Sequence, residues 1–407
     1  MSDIETEVSK TMTAPHSSTL RLMIVAGEPS GDVHAAALVS ALRATAPDVK
    51  FEFFGSAGPQ MRAQAVEAVV SADDLAIMGI IEVARVFSRF RTAFKKLKEA
   101  ALSRKPDAVI FVDWPEFNLR LAKSLHRRVV RTIYYISPQV WAWRSYRVKQ
   151  IRRDVDLLLA ILPFEKEWFA RNKMDQVRYV GHPLAGEVTS KLTREEFSRK
   201  HNLNPNRPIV VLLPGSRHKE LLRILPPMMN AAIEMSREQS ELQFVLVVAP
   251  SRSIEDANSV ITGANIDTKR LATFRMVHHQ TREALAAADA AAVASGTATL
   301  EAALLNTPMV IVYKESAINW HTLGRLITTE TYGLVNLVAG RRIVTELIQN
   351  DLTPQLLASE LFALLKEPRN QEVRKELRAV ADKLGEGGAS ERAAQKVLEF
   401  VRSNPTQ

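Results

Sequence analysis

At 407 residues, 46% hydrophobic and 24% charged, the chain has the composition of a globular protein with two domain cores, which excludes disordered and fibrous classes. It has no cysteine, so disulfides, thiolate metal sites and cysteine nucleophiles are excluded, and a cytoplasmic protein is expected. Lys and Arg exceed Asp and Glu by 54 to 45, a balance of +9 that suits phosphorylated substrates, an anionic membrane surface or nucleic acid, while no apolar run is long enough to span a bilayer.

In chain order, residues 1–20 open with the polar, partly acidic MSDIETEVSK, expected to be a disordered extension and not a secretory signal. Leu22–Ala26 is the first strand and His34–Ala46 the helix after it. Apolar, β-branched runs recur at Phe51–Phe54, Val109–Val112, Thr132–Ile136, Leu157–Ile161 and Val177–Val180, until Gly181-His182-Pro183 breaks the alternation. It restarts at Ile209–Leu213, Phe244–Val248 and Thr273–Val277, and continues through Ala290–Ala294 and Met309–Tyr313. Two successive βα series predict an α/β protein with two Rossmann-like, doubly wound domains facing a central cleft, with ligands at the carboxyl edges of the strands. The expected boundaries are 21–183 and 184–351, followed by a helical, charged segment over 352–407.

Chemistry concentrates where strands end. The first strand runs into Gly27-Glu28-Pro29-Ser30-Gly31-Asp32, in which two glycines let the backbone approach a ligand and Ser30 or Asp32 can cap the next helix. The spacing matches neither the dinucleotide nor the P-loop pattern, so no NAD or ATP cofactor is expected. Val109–Val112 delivers Asp113 at its end, a position suited to a general base for an incoming hydroxyl, with Glu116 and Asn118 just beyond. Each of these turns also reads as a plain strand-to-helix connection. Ser137, Gln139 and Trp141 lie in an aromatic loop whose tryptophans and Arg144 suit either sugar stacking or packing.

In the second series, Gly215 and Ser216 offer backbone donors and Arg217 a planar fork for a diphosphate. Ser295-Gly296-Thr297 opens a helix with hydroxyls and N–H groups that attract phosphate, and Glu301 lies one turn on, where a carboxylate accepts from ribose hydroxyls; a solvated glutamate at an ordinary helix start is the alternative. Residues 77–94 alternate apolar and basic side chains, which fits a helix lying on an anionic membrane and equally a core helix with a solvated basic face. Asp154-Val155-Asp156 opens a strand instead of ending one, and His278-His279 are adjacent and point apart, so no metal site is expected. Zinc-finger spacing, a basic tail and interleaved RNA-binding aromatics are all missing, which ranks nucleic acid last as a partner.

Taken in order, AGEPSGD (26–32), MGIIEV (78–83), Asp113 with Pro115, Phe117 and Asn118, YISPQVWAWR (135–144) and LPFE (162–165) closely resemble the lipid-A-disaccharide synthase family. VGH (180–182), LLPGSR (212–217), ASGTATLE (294–301), NLVAGR (336–341) and TELIQ (345–349) continue the likeness, which spans residues 20–350 and weakens beyond. The resemblance implies a GT-B glycosyltransferase. It would move a 2,3-diacylglucosamine from its UDP donor to the 6-hydroxyl of 2,3-diacylglucosamine 1-phosphate, with inversion. It also implies Asp113 as general base, Arg217 and the Ser295–Glu301 turn on the nucleotide-sugar side, and Asn336 with Arg341 adding to that side. A peripheral protein on the cytoplasmic face of the inner membrane is implied too, with 77–94 as docking surface and a homodimer exchanging C-terminal segments. Glu116 departs from the family, where many members have Asp. Competing readings are another UDP-sugar enzyme, such as a peptidoglycan-precursor transferase or a UDP-GlcNAc epimerase, and a basic scaffold without activity. Protection by UDP against thermal unfolding separates the scaffold, which should show none.

Overall fold

Strands such as Ile209-Val210-Val211-Leu212-Leu213 contain no polar residue, a pattern tolerated only when helices cover both faces of a parallel sheet. The computed structural model of the chain describes residues 19–73, 83–316 and 331–403, and for 83–87 and Trp143 the backbone alone. The expected extension up to residue 18, and residues 77–82 of the expected membrane stretch, lie outside the described residues.

The first sheet contains β1 (Thr19–Val25), β2 (Lys50–Ala57), β3 (Glu67–Ser71), β4 (Ala108–Val112), β5 (Thr132–Tyr135), β6 (Leu157–Ala160) and β7 (Val177–Tyr179). Their order is β3-β2-β1-β4-β5-β6-β7, and the pairs from β3 to β5 run parallel. The second sheet contains β8 (Ile209–Leu213), β9 (Gln243–Val248), β10 (Thr273–His278), β11 (Ala290–Ala294), β12 (Met309–Tyr313) and β13 (Glu346–Ile348). Its order is β10-β9-β8-β11-β12-β13, again parallel throughout.

Both sheets are therefore doubly wound. The direction of winding reverses between β1 and β4 in one, and between β8 and β11 in the other. The loops leaving those strands diverge and open a crevice at the carboxyl edge, the usual ligand position of such sheets. The expected strands are all present, with ends shifted by a few residues. Two that the sequence does not announce, β3 and β13, each lie at one edge of their sheet; the strands at the opposite edges, β7 and β10, were expected. Glu67-Ala68-Val69-Val70-Ser71 is only partly buried, so it lacks the long apolar run that marks a central strand.

The helices in the first half are α1 (Pro29–Thr45), α2 (Pro59–Ala63), α3 (Val83–Arg104), α4 (Pro115–His126), α5 (Val140–Trp143), α6 (Val148–Asp154) and α7 (Glu165–Arg171). Those that follow are α8 (Arg194–Lys200), α9 (His218–Glu238), α10 (Ile254–Gly263), α11 (Thr281–Ala287), α12 (Ala298–Leu304), α13 (Leu334–Ala339), α14 (Pro354–Leu364), α15 (Arg369–Leu384) and α16 (Ala389–Ser403). Helix α1 begins five residues before the expected His34, because Pro29 has the φ of a first helical residue. By contacts the chain divides into two compact units. One comprises residues up to Ile136, Arg153–Leu158 and the stretch from Ala393; the other comprises Ser137–Arg152 and Leu159–Arg392. In the first, Arg131 donates to the carbonyls of Phe400 and Val401 and lies 4.1 Å over the Phe400 ring, tying the end of α16 down. Among the described residues, no helix is long and apolar enough to cross a membrane.

Candidate active site

At the carboxyl edge of the first sheet, β1 and β4 end side by side and their loops interlock. A Cβ on Gly27 would lie 2.2 Å from the indole of Trp114, so only glycine lets the ring close over this turn. Trp114 stacks on Phe117 at 4.1 Å, and Phe90 of α3 meets both rings at 5.7 and 6.1 Å. Phe94 packs on Phe117 as well. Within the 77–94 stretch, side chains are described from Ser88. Phe90 and Phe94 pack inward, while Arg89, Arg91, Lys95 and Lys96 stay exposed.

Asp113 and Trp114 are both left-handed, with φ of 49° and 52°, a conformation that costs on the order of 1–2 kcal/mol per residue. Asn118 holds the strained turn. Its Nδ2 donates to Asp113 O at 2.8 Å and to Val25 O and Val112 O at 3.3 Å, and the Tyr134 hydroxyl donates to Asp113 O at 2.6 Å. The Asp113 backbone is thus pinned and its carboxylate left clear of these bonds. Burial, helped by the nearby charge of Glu28, pushes that carboxyl up to about 6 against the bond from the Trp114 N–H. A carboxylate of this basicity is poised to take a proton near neutral pH.

Other residues expected to touch substrate here serve the scaffold. Asn118 is fully buried on three carbonyls. Asp32 is 2% exposed and accepts from the N–H groups of Gly58 (2.9 Å), Gln60 (2.8 Å) and Met61 (3.2 Å), so it caps α2 from a distance. Gly31 is buried against Val112 O, where a Cβ would sit at 3.5 Å. Glu28 and Ser30 remain exposed at the start of α1, and Glu28 lines a cavity of about 220 Å³ with Asp32, Val33, Gln60 and Asp73.

The aromatic loop also splits. Trp141 is 4% exposed, packs edge-on to Phe164 and donates Nε1 to Glu165 at 3.0 Å, so it belongs to the core and not to a sugar platform. Glu165 accepts further from the N–H groups of Ile161 and Leu162 and from Ser137. Burial pushes its carboxyl up to about 7 despite those donors. Ser137 is buried beside it, and Gln139 is exposed.

In the second sheet the loops after β8 and β11 share one cavity of about 320 Å³, lined by Gly215, Ser216, Arg217, Ser295, Gly296, Thr297 and Glu301 among others. The two motifs lie 80 positions apart in sequence and meet because β8 pairs directly with β11. Gly215 has φ +107°, which brings Ser216 and Arg217 round so that their N–H groups reach one acceptor. The Arg217 side chain is 82% exposed. Ser295 donates Oγ to Tyr332 O at 3.1 Å, and Thr299 Oγ1 donates to Gly296 O at 2.8 Å, which fixes the second turn. Glu301 is held by Arg282 Nε at 3.1 Å, and Arg282 in turn donates to Glu187 O at 2.9 Å.

Two expected contributors stand elsewhere. Asn336 is fully buried, donating to Val344 O (3.0 Å) and Glu346 Oε1 (2.8 Å) and accepting from the N–H groups of Ile343 (2.8 Å) and Val344 (3.1 Å). Both its N–H groups and both its lone pairs are used, which leaves no hydrogen-bonding capacity for a ligand. Arg341 pairs with Glu376 of α15 at 2.5 Å. Sequence reading passed over Glu220, Arg282 and Glu346. Glu220 follows Arg217 by three, the spacing of a capping box, which was its one local signal. Glu346 caps the start of α13 through Tyr332 N and Gly333 N, from 13 residues beyond Gly333, and nothing local marks it.

The sequence profile of the Lipid-A-disaccharide synthetase family matches residues 22–400. The Lipid-A-disaccharide synthase of Myxococcus xanthus is 43% identical over 383 residues, covering 94% of this chain and 97% of that protein. Among solved structures, the UDP-GlcNAc 2-epimerase of Neisseria meningitidis, determined with UDP-GlcNAc bound, aligns with a TM-score of 0.63 at 12% identity over 95% of this chain and all of that one. A glycosyltransferase from Rickettsia africae aligns at 0.55 with 13% identity over 96% of this chain and 100% of its own. At such identities the structures speak to fold alone, and the two parallel-sheet α/β domains have the GT-B fold. With profile and relatives covering nearly its whole length, the chain belongs to the Lipid-A-disaccharide synthetase family and is a hexosyltransferase.

Proposed function

We propose that the protein transfers 2,3-diacylglucosamine from UDP-2,3-diacylglucosamine to the 6-hydroxyl of 2,3-diacylglucosamine 1-phosphate. The products are the β-1,6-linked disaccharide 1-phosphate and UDP. Family membership supports the reaction class. The single observation that carries the nucleotide side is the cavity after β8 and β11, where backbone N–H groups, the Arg217 fork and Glu301 converge.

Asp113 removes the proton from the acceptor hydroxyl as its oxygen attacks the anomeric carbon. The bond from that carbon to the diphosphate oxygen breaks, and the configuration inverts. Arg217 and the backbone donors at Ser216 take up the negative charge that grows on the departing diphosphate. Glu301 accepts from ribose hydroxyls, with Arg282 fixing its direction. The exposed Arg89, Arg91, Lys95 and Lys96 on α3 suit an anionic leaflet, so the enzyme works as a peripheral protein on the cytoplasmic face of the inner membrane.

The test is to incubate the purified chain with both lipid substrates and follow products by mass spectrometry, with Asp113→Ala in parallel. The expected result is a tetra-acylated disaccharide phosphate with one UDP per product, lost in the variant. Measurable UDP binding with no disaccharide would refute this acceptor.

A further inference from the structure

The donors of the Gly215–Arg217 turn already hold an anion, and it belongs to the protein. Glu220 Oε2 accepts from the N–H of Ser216 at 3.1 Å and of Arg217 at 3.2 Å, while Oε1 accepts from Arg217 Nη1 at 3.1 Å. Gly215 makes room for it, since a Cβ there would lie 2.4 Å from Oε2. These lengths exceed the 2.7–2.9 Å usual for charge-assisted bonds, so the carboxylate is held less closely than a good anion would be. The turn does not depend on Glu220 alone, because Ser251 Oγ donates to Ser216 O at 2.9 Å from the loop after β9. Glu220 also lines the 320 Å³ cavity, together with Ser216, Arg217 and Glu301.

We propose that Glu220 is an internal placeholder anion, displaced when the diphosphate of a nucleotide takes the Ser216 and Arg217 donors, and so a determinant of how tightly charged ligands bind. The inference rests on the nucleotide-site reading above. A carboxylate and a diphosphate cannot share one set of donors without strong like-charge repulsion. A phosphate oxygen, carrying more charge, wins the exchange, but the bonds surrendered by Glu220 are subtracted from the affinity. The return of Glu220 then helps UDP to leave. An uncharged nucleoside has no use for these donors and leaves Glu220 in place.

The experiment is calorimetric titration of the full chain with UDP and with uridine, comparing wild type, Glu220→Gln and Glu220→Ala. Glu220→Gln keeps an oxygen for both N–H groups and guards against loss of the turn. We expect UDP to bind about tenfold more tightly to Glu220→Ala, with Glu220→Gln intermediate and uridine unchanged. UDP binding that is weaker or unaltered in both variants, or collapse of the fold in both, overturns the placeholder and makes Glu220 a structural cap. Wild-type protein that binds no UDP overturns the nucleotide-site reading itself, and the placeholder with it.

Discussion

Around β1 and β4 the strand-end loops carry Glu28, Asp32 and Asp113, whereas around β8 and β11 they carry Gly215, Ser216, Arg217 and the Ser295–Thr297 turn. The two sheets have the same winding and therefore the same kind of crevice. Their chemistry differs in kind. The first edge gathers carboxylates and raises the basicity of one of them by burial; the second sets backbone donors and one guanidinium against Glu220 and Glu301. A doubly wound sheet thus supplies a position for a ligand and leaves the reaction to the side chains at two strand ends. A base gains basicity where negative charge is crowded, and an anion is held where backbone donors converge.

The strongest way to break this contrast is Asp113→Asn. Turnover should fall roughly 10²–10⁴-fold with UDP affinity unchanged by calorimetry. A matching loss of UDP affinity would mean that the two edges do not divide the labour. Arg217→Ala should do the reverse. UDP affinity should fall about 10–100-fold, and because the side chain is exposed the melting temperature of the ligand-free protein should stay put.

A pH series sharpens the comparison further. With the Asp113 carboxyl raised to about 6, kcat/KM should drop tenfold per pH unit below that value, while the affinity for uridine, which has no phosphate to titrate, varies little between pH 5 and 7. Stability carries the opposite sign. Between the ordinary value of 3.8 and about 6, the folded chain holds a proton that the unfolded chain has lost, so stability declines as pH rises through that window. Asp113→Asn removes the penalty, and its melting temperature should exceed that of wild type at pH 7 and converge with it near pH 4. The smallest effect is expected from Ser295→Ala. Losing one hydroxyl bond to Tyr332 O should cost about 1 kcal/mol in chemical denaturation, with turnover nearly intact.

The fold was legible because eleven of the thirteen described strands contain apolar, β-branched runs that alternate with helical segments. Strands β3 and β13 were not, since β3 is nowhere fully buried and β13 is three residues long, too short for a pattern to show. Strand-end turns were equally legible as places where chemistry gathers. Which polar residue faces the ligand was not. Asp32, Asn118, Trp141 and Asn336 sit in or beside those turns, yet their partners are buried backbone groups or side chains that only the tertiary structure brings near. A sharp turn at a site needs polar side chains to satisfy its own carbonyls and N–H groups, and sequence does not distinguish these from residues that meet substrate.

The contact between Gly27 and the Trp114 ring ties together two positions 87 apart in the chain. A methyl group at 27 has no room while the indole is present, and a small residue at 114 leaves a void beside Phe90 and Phe117. Neither position therefore has an easy single step open to it. Descendants of this sequence should keep the pair or exchange both members at once, and a mutagenesis library aimed at the carboxyl edge of the first sheet should recover more folded variants when 27 and 114 are randomised jointly.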